Sequence, residues 1–270
     1  MKHVTHSDRQ ICFEETGSGE PVVLLPPGAS PAVVWKDVAV ILGARFRCLA
    51  VNFSGYGGTE SFCKTRPMRL DDEVEAVFAV AEKFSKTVYI VGHSYGGAVA
   101  LRCCLNRPQR VRTLTLIEPA TYPILDESGD DELSAEVNRV NSEFVTRADA
   151  GEFEPAFRSY YNYYNQSQDG WDNLPERLRA GLLSASSTVA VGLKAIHASP
   201  TTLADCARIA HPTLLLRGER TDPVHGTLTD LLASTIPGAK RHIVREAGHM
   251  LTLTHAREVA DAIETHALER

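Results

Sequence analysis

The sequence predicts an α/β fold: a doubly wound, mostly parallel sheet with a helical segment inserted after the strand that follows the central helix. Three observations predict it. Short apolar, β-branched runs recur with helix-like segments between them, the pattern of strands buried on both faces and joined by crossover helices. One such joint, Thr87 to Asn106, passes from strand to helix through a single glycine-flanked turn, Gly92-His93-Ser94-Tyr95-Gly96. The alternation lapses after Thr121 and resumes at Pro212.

Taken in order, Gln10 to Thr16 alternates as an early strand. Gly17-Ser18-Gly19-Glu20-Pro21 is a turn, and Val22 to Leu25 a short buried strand. The loop Pro26-Pro27-Gly28-Ala29-Ser30-Pro31 leads into a helix containing Trp35. Phe46 to Val51 is the next strand. The glycines of Asn52 to Thr59 read as turn residues, because no helix with a ribose-binding acid downstream opens on them. Leu70 to Ser85 has helical period, with Val74, Val77, Phe78 and Ala81 on one face. Val88 to Val91 is the strand entering the Ser94 turn, and Val111 to Ile117 another buried strand, ending at Glu118-Pro119.

Asp126, Glu127, Asp130, Asp131, Glu132 and Glu136 then read as a solvated loop and helix start. From Glu143 to about Ala204 the pattern is helical, broken at Gly151, Pro155, Gly170 and Pro175. Tyr160, Tyr161, Tyr163, Tyr164 and Trp171 make it aromatic; most of these rings are expected to pack, and one or two to line a pocket. Thr213 to Arg217 is a strand, Leu228 to Ile236 a helix, Lys240 to Val244 the last strand, and His255 to Leu268 the closing helix.

With 270 residues, 43% of them hydrophobic, the chain can bury one substantial core. A net charge of −6 without any basic cluster argues against a nucleic-acid partner. The N-terminus has no apolar core of a signal peptide, and no apolar run approaches a membrane span, so a cytoplasmic location is expected. Cys12, Cys48, Cys63, Cys103, Cys104 and Cys206 lack metal-ligand spacing and read as reduced thiols. No metal and no cofactor is expected, and the partner is a small-molecule substrate. Nothing in the sequence bears on oligomeric state.

The chemistry centres on Ser94. A sharp strand-to-helix turn lifts its hydroxyl to the carboxyl edge of the sheet, and the helix behind it favours negative charge there. With this elbow the chain resembles the α/β-hydrolase fold superfamily, as a capped serine hydrolase of carboxylesterase-like type. The resemblance implies two hairpin-like strands before the first parallel one. It also implies a core domain of residues 1–120 and 206–270 and a helical cap of residues 121–205. It implies a nucleophile, acid and histidine in that chain order, which Ser94, Asp222 and His249 satisfy. Glu118 is the alternative acid, since some members carry it after the strand that follows the elbow helix. Among ten histidines, only His249 lies in a Gly-His loop after the last strand; His93 is expected to pack with its ring turned away from the base.

The oxyanion hole would use the Tyr95 backbone N–H and a second N–H from the loop after Leu25, where the superfamily usually carries His-Gly. Pro26 and Pro27 have no N–H to give. That leaves Gly28 or Ala29, and alignment of Pro27-Gly28 with His-Gly favours Ala29. The implied activity is acyl transfer on a small or medium ester, lactone or thioester. Carbon–carbon bond hydrolysis or lysis on the same triad is the runner-up, and a slow-turnover ligand sensor the alternative of a different class. Epoxide hydrolases and haloalkane dehalogenases are disfavoured because they use aspartate where Ser94 stands.

Overall fold

The computed structural model describes residues 1–62 and 65–269. Among them run eight strands: β1 (Lys2–His6), β2 (Arg9–Thr16), β3 (Glu20–Leu25), β4 (Phe46–Val51), β5 (Val88–His93), β6 (Val111–Ile117), β7 (Thr213–Gly218) and β8 (Lys240–Val244). They form one sheet in the order β1-β2-β4-β3-β5-β6-β7-β8. The β1–β2 and β2–β4 pairs are antiparallel, and every other pair is parallel. The helices are α1 (Lys36–Leu42), α2 (Leu70–Ala81), α3 (Tyr95–Asn106), α4 (Asp131–Asp149), α5 (Phe153–Tyr164), α6 (Glu176–Ser184), α7 (Ser186–His197), α8 (Leu203–Cys206), α9 (Pro223–Thr235), α10 (Leu251–Thr254) and α11 (Ala256–Leu268).

Successive side chains of a strand face opposite ways, so each central strand feeds two cores. Val23 and Leu25 of β3, Leu49 and Val51 of β4, and Val88 and Ile90 of β5 join the core under α2, α3 and α9. Their neighbours Val22, Leu24, Cys48, Ala50, Tyr89 and Val91 join the core under α1 and α11. Each aliphatic side chain buried this way contributes about 1.5–3 kcal/mol. The larger core continues through Tyr122, Val137, Phe144, Phe157 and Trp171 into the strandless stretch between β6 and β7.

The two hairpin-like strands before the first parallel one are β1 and β2; β3, which holds Val22 to Leu25, lies between β4 and β5, parallel to both. The hairpin partner of β2 is β1, a short and largely exposed strand whose sequence carries no clear apolar alternation. The long helical pattern begins earlier than Glu143. Asp130 caps α4 by accepting from the Leu133 N–H at 3.0 Å, and Asp131 and Glu132 form its first turn, while Asp126 and Glu127 precede it, so the acidic stretch is a loop and helix start as expected. Five cysteines are buried and unpaired; Cys63 lies outside the described residues. Among the described residues, no helix is long and apolar enough to cross a membrane.

Candidate active site

The turn between β5 and α3 holds Ser94 at φ 52°, ψ −115°, a left-handed conformation that costs a non-glycine residue energy. Backbone hydrogen bonds lock it there. The Ser94 N–H donates to Ile117 at 2.9 Å, and the Ser94 carbonyl accepts from Gly97 and Ala120. The turn is so tight that a Cβ on Gly92 would lie 2.1 Å from the Gly96 carbonyl oxygen, and one on Gly96 2.3 Å from that of Leu25. Only glycine fits at either position.

His249, in the loop after β8, comes to the same cavity as Ser94. The carboxylate against its ring is that of Glu118, not of the favoured Asp222: Nδ1 of His249 lies 2.6 Å from Oε2 of Glu118. Glu118 directly follows β6, at φ 43° and fully buried. Its carboxylate also accepts from the Gly218 N–H and the Thr221 hydroxyl, both at 2.7 Å. Burial alone would raise its pKa. The bond to His249, the charges of His249 and His225, and the Gly218 N–H outweigh burial and hold it at about 2.

Asp222 is committed elsewhere, for a local reason. It is the N-cap of α9, with Pro223 in the first turn, and its Oδ1 accepts from the His225 N–H at 3.1 Å. Its other oxygen lies 2.7 Å from Nδ1 of His225. Burial raises the Asp222 pKa, and the charge and hydrogen bonds of His225 with the charge of His249 overcome this and bring it to about 2. The His225 ring lies against that of His249, tilted by 32° with centroids 4.1 Å apart, and lines the cavity. The sequence reading missed His225. The signal available was its spacing, three residues after a helix-capping aspartate, where side chain and cap meet.

Donor atoms of Asp222, His225 and His249 all lie within 4.8 Å of one another, a cluster that the scattered sequence positions did not suggest. Asp222 spends both oxygens on His225, and Nδ1 of His249 is taken by Glu118, while Nε2 of His225 has no hydrogen-bond partner among the described residues. His93 also departs from expectation: its ring does not turn away from His249 but lies 4.9 Å from it, with Nδ1 3.2 Å from the Thr252 hydroxyl. Burial, then the charge of His249, pushes the His93 pKa down to about 3, which keeps it neutral.

The cavity has a volume of about 610 Å³ and is lined mostly by apolar and aromatic side chains. Gly28, Ala29 and Tyr95 stand on its wall with Ser94. The Ala29 N–H donates to the Tyr56 hydroxyl at 3.2 Å. Three of the four clustered tyrosines reach the cavity, Tyr160, Tyr161 and Tyr164, rather than one or two; Trp171 is buried and stacks on Phe157.

Residues 22–262 match the model of the Alpha/beta hydrolase family. The chain is 24% identical over 243 residues to the pimeloyl-[acyl-carrier protein] methyl ester esterase of Nitrosomonas europaea, covering 88% of this chain and 92% of that protein. It is 25% identical over 275 residues to a 2-hydroxymuconate semialdehyde hydrolase of a Pseudomonas species, covering 93% and 88%. Among solved structures, the enol-lactonase from Burkholderia xenovorans is similar in fold, with a TM-score of 0.77 at 14% identity over 99% of this chain and 100% of that one. A thermophilic esterase from Thermogutta terrifontis gives a TM-score of 0.75 at 20% identity, covering 98% and 97%. A strained serine at the end of a central parallel strand and a family match across most of the sheet agree, and the chain belongs to the alpha/beta hydrolase family as an α/β-fold hydrolase.

Proposed function

We propose that the protein is a serine hydrolase of small or medium esters, lactones or thioesters, with Ser94 as nucleophile, His249 as base and Glu118 as the acid that orients it. The observation that carries this reading is the 2.6 Å contact between His249 Nδ1 and Glu118, made beside Ser94 in one cavity. A serine hydroxyl becomes nucleophilic when a neighbouring imidazole takes its proton, and a buried carboxylate on Nδ1 fixes the imidazole in the tautomer that can do so. Ser94 Oγ attacks the carbonyl as Nε2 of His249 removes its proton. The same nitrogen then protonates the leaving oxygen or sulfur. Water, deprotonated by His249, cleaves the acyl-enzyme.

The developing oxyanion is held by the Tyr95 N–H, at the start of α3, and the Ala29 N–H. The Ala29 N–H stands on the cavity wall, where its present acceptor is the Tyr56 hydroxyl, which the oxyanion would replace or share. Residues 121–205 act as a cap, contributing the Tyr160, Tyr161 and Tyr164 side of the cavity. A second reading, carbon–carbon bond hydrolysis on the same three residues, draws support from the relative named as a 2-hydroxymuconate semialdehyde hydrolase. The test is hydrolysis of p-nitrophenyl acetate, butyrate and octanoate by wild type and Ser94→Ala. Activity on the short chains that disappears in the variant is expected. Equal rates in both proteins would defeat the serine mechanism, and no ester turnover in either would leave the carbon–carbon reading in its place.

A further inference from the structure

His225 is 2% exposed, and its Nε2 has no hydrogen-bond partner among the described residues, yet the ring lines the cavity that holds Ser94 and His249. A buried imidazole nitrogen without a partner costs free energy, so its place on a cavity wall points to a partner that enters from the cavity. The protonation state defines what that partner is. Asp222 sits on Nδ1 at 2.7 Å and is itself 5% exposed, a buried counter-ion dedicated to this ring. Burial works against a charge on His225, but the charge and hydrogen bond of Asp222 and the charge of Glu118 raise its pKa above the ordinary histidine value. Unlike Glu118, which also accepts from Gly218 and Thr221, Asp222 accepts among the described residues from His225 alone, so its buried charge is balanced by that ring, and a charged ring has a proton on Nε2 to donate.

The surroundings narrow the choice further. Among the described residues no lysine or arginine lines this cavity, and its other imidazole, His249, is the proposed base. The carboxylates of Glu118 and Asp222 lie behind their histidines, on the Nδ1 side, and neither lines the cavity; Glu73 does line it, accepting from the Ser54 N–H, and burial raises its pKa toward the neutral form. Tyr122 and Tyr164 pack around the outer side of the His225 ring, with centroids 6.1 and 5.3 Å away. The wall at this point thus presents a cationic N–H in an aromatic frame.

We propose that His225, held by Asp222, is a recognition group for a carboxylate, so that the substrate of this enzyme carries an acidic substituent close to its scissile carbonyl. Calling the occupant a substrate rests on the serine-hydrolase reading; the recognition itself is tested by binding, without turnover. Calorimetric titration with hexanoate and with its neutral isostere hexanamide is run at neutral pH on wild type, His225→Phe and Asp222→Asn. Wild type is expected to bind hexanoate at least about tenfold more tightly than hexanamide, the strength of a charge-assisted hydrogen bond in a dry site. His225→Phe should abolish that gap while keeping hexanamide within about threefold of wild type, since the apolar wall is retained. Asp222→Asn, which leaves the ring in place but removes its counter-ion, should narrow the gap and serves if the phenylalanine variant does not fold. Equal binding of the two probes by wild type, absence of hexanoate binding, or a gap that survives both variants would overturn the proposal. Loss of Ser94-dependent esterase activity would bear on the serine mechanism alone.

Discussion

Three donors converge on Glu118: the His249 ring, the Thr221 hydroxyl and the Gly218 N–H. A carboxylate so held cannot rotate, and neither can the imidazole bonded to it. In the proposed mechanism, replacing it with Gln leaves a group that cannot compensate the imidazolium formed in the transition state. Glu118→Gln is expected to lower kcat on a short p-nitrophenyl ester by about 10³–10⁴-fold, as loss of an orienting acid does elsewhere. Asp222→Asn should cost less by at least about tenfold, because its hydrogen bonds go to His225. Steady-state kinetics on the two variants reads the difference, and a reversed order would restore Asp222 as the acid.

At the scale of the element, the elbow is a device for storing strain. Ser94 keeps a positive φ because β5 and α3 over-determine it, through hydrogen bonds on both sides of the residue and contacts that leave no room for a methyl group. Gly92→Ala would drive a Cβ into the Gly96 carbonyl and is expected to destabilise the protein by more than about 3 kcal/mol. Gly181, inside α6, meets nothing within 4 Å of a built Cβ, so Gly181→Ala should stabilise by about 0.5–1 kcal/mol. Chemical denaturation of the two variants provides the comparison. A mild effect at Gly92 would mean that the turn can relax.

For the whole molecule, the buried groups around the site set the response to acid. Glu118 and Asp222, ordinarily near 4.5 and 3.8, both sit at about 2 in the folded protein. Unfolding raises their affinity for protons, so their contribution is present above the ordinary values and is lost as pH falls toward about 2. His93, ordinarily at 6.5, is buried neutral at about 3, and its contribution is likewise lost as pH falls between those values. His225 has the opposite sign. Its raised pKa stabilises below the ordinary value of 6.5 and ceases to do so as pH rises through the folded value. The melting temperature should therefore fall steadily from about pH 6 to about pH 3, and Glu118→Gln should make the fall shallower in its lower half. An unchanged slope in that variant would contradict the hydrogen-bonded carboxylate described here.

The sequence by itself determined the alternation of buried strands and helices, the turn at Ser94 and the Gly-His loop at His249. Each of these is written in a local pattern: β-branched runs, a glycine on either side of a serine, and a histidine after the last strand. It did not determine which acid meets His249. Glu118 and Asp222 both follow parallel strands that are neighbours in the sheet, so chain order leaves them equivalent. Tertiary structure separated them. Asp222 turns into α9 to cap it and binds a histidine three residues on, while Glu118 is left facing His249 from the end of β6. The same holds for β1, which is a strand because β2 offers it an edge, and for His225, whose place against His249 depends on contacts far apart in the chain. Hydrogen-bond geometry and packing across the sheet edge are long-range facts, and no local pattern encodes them.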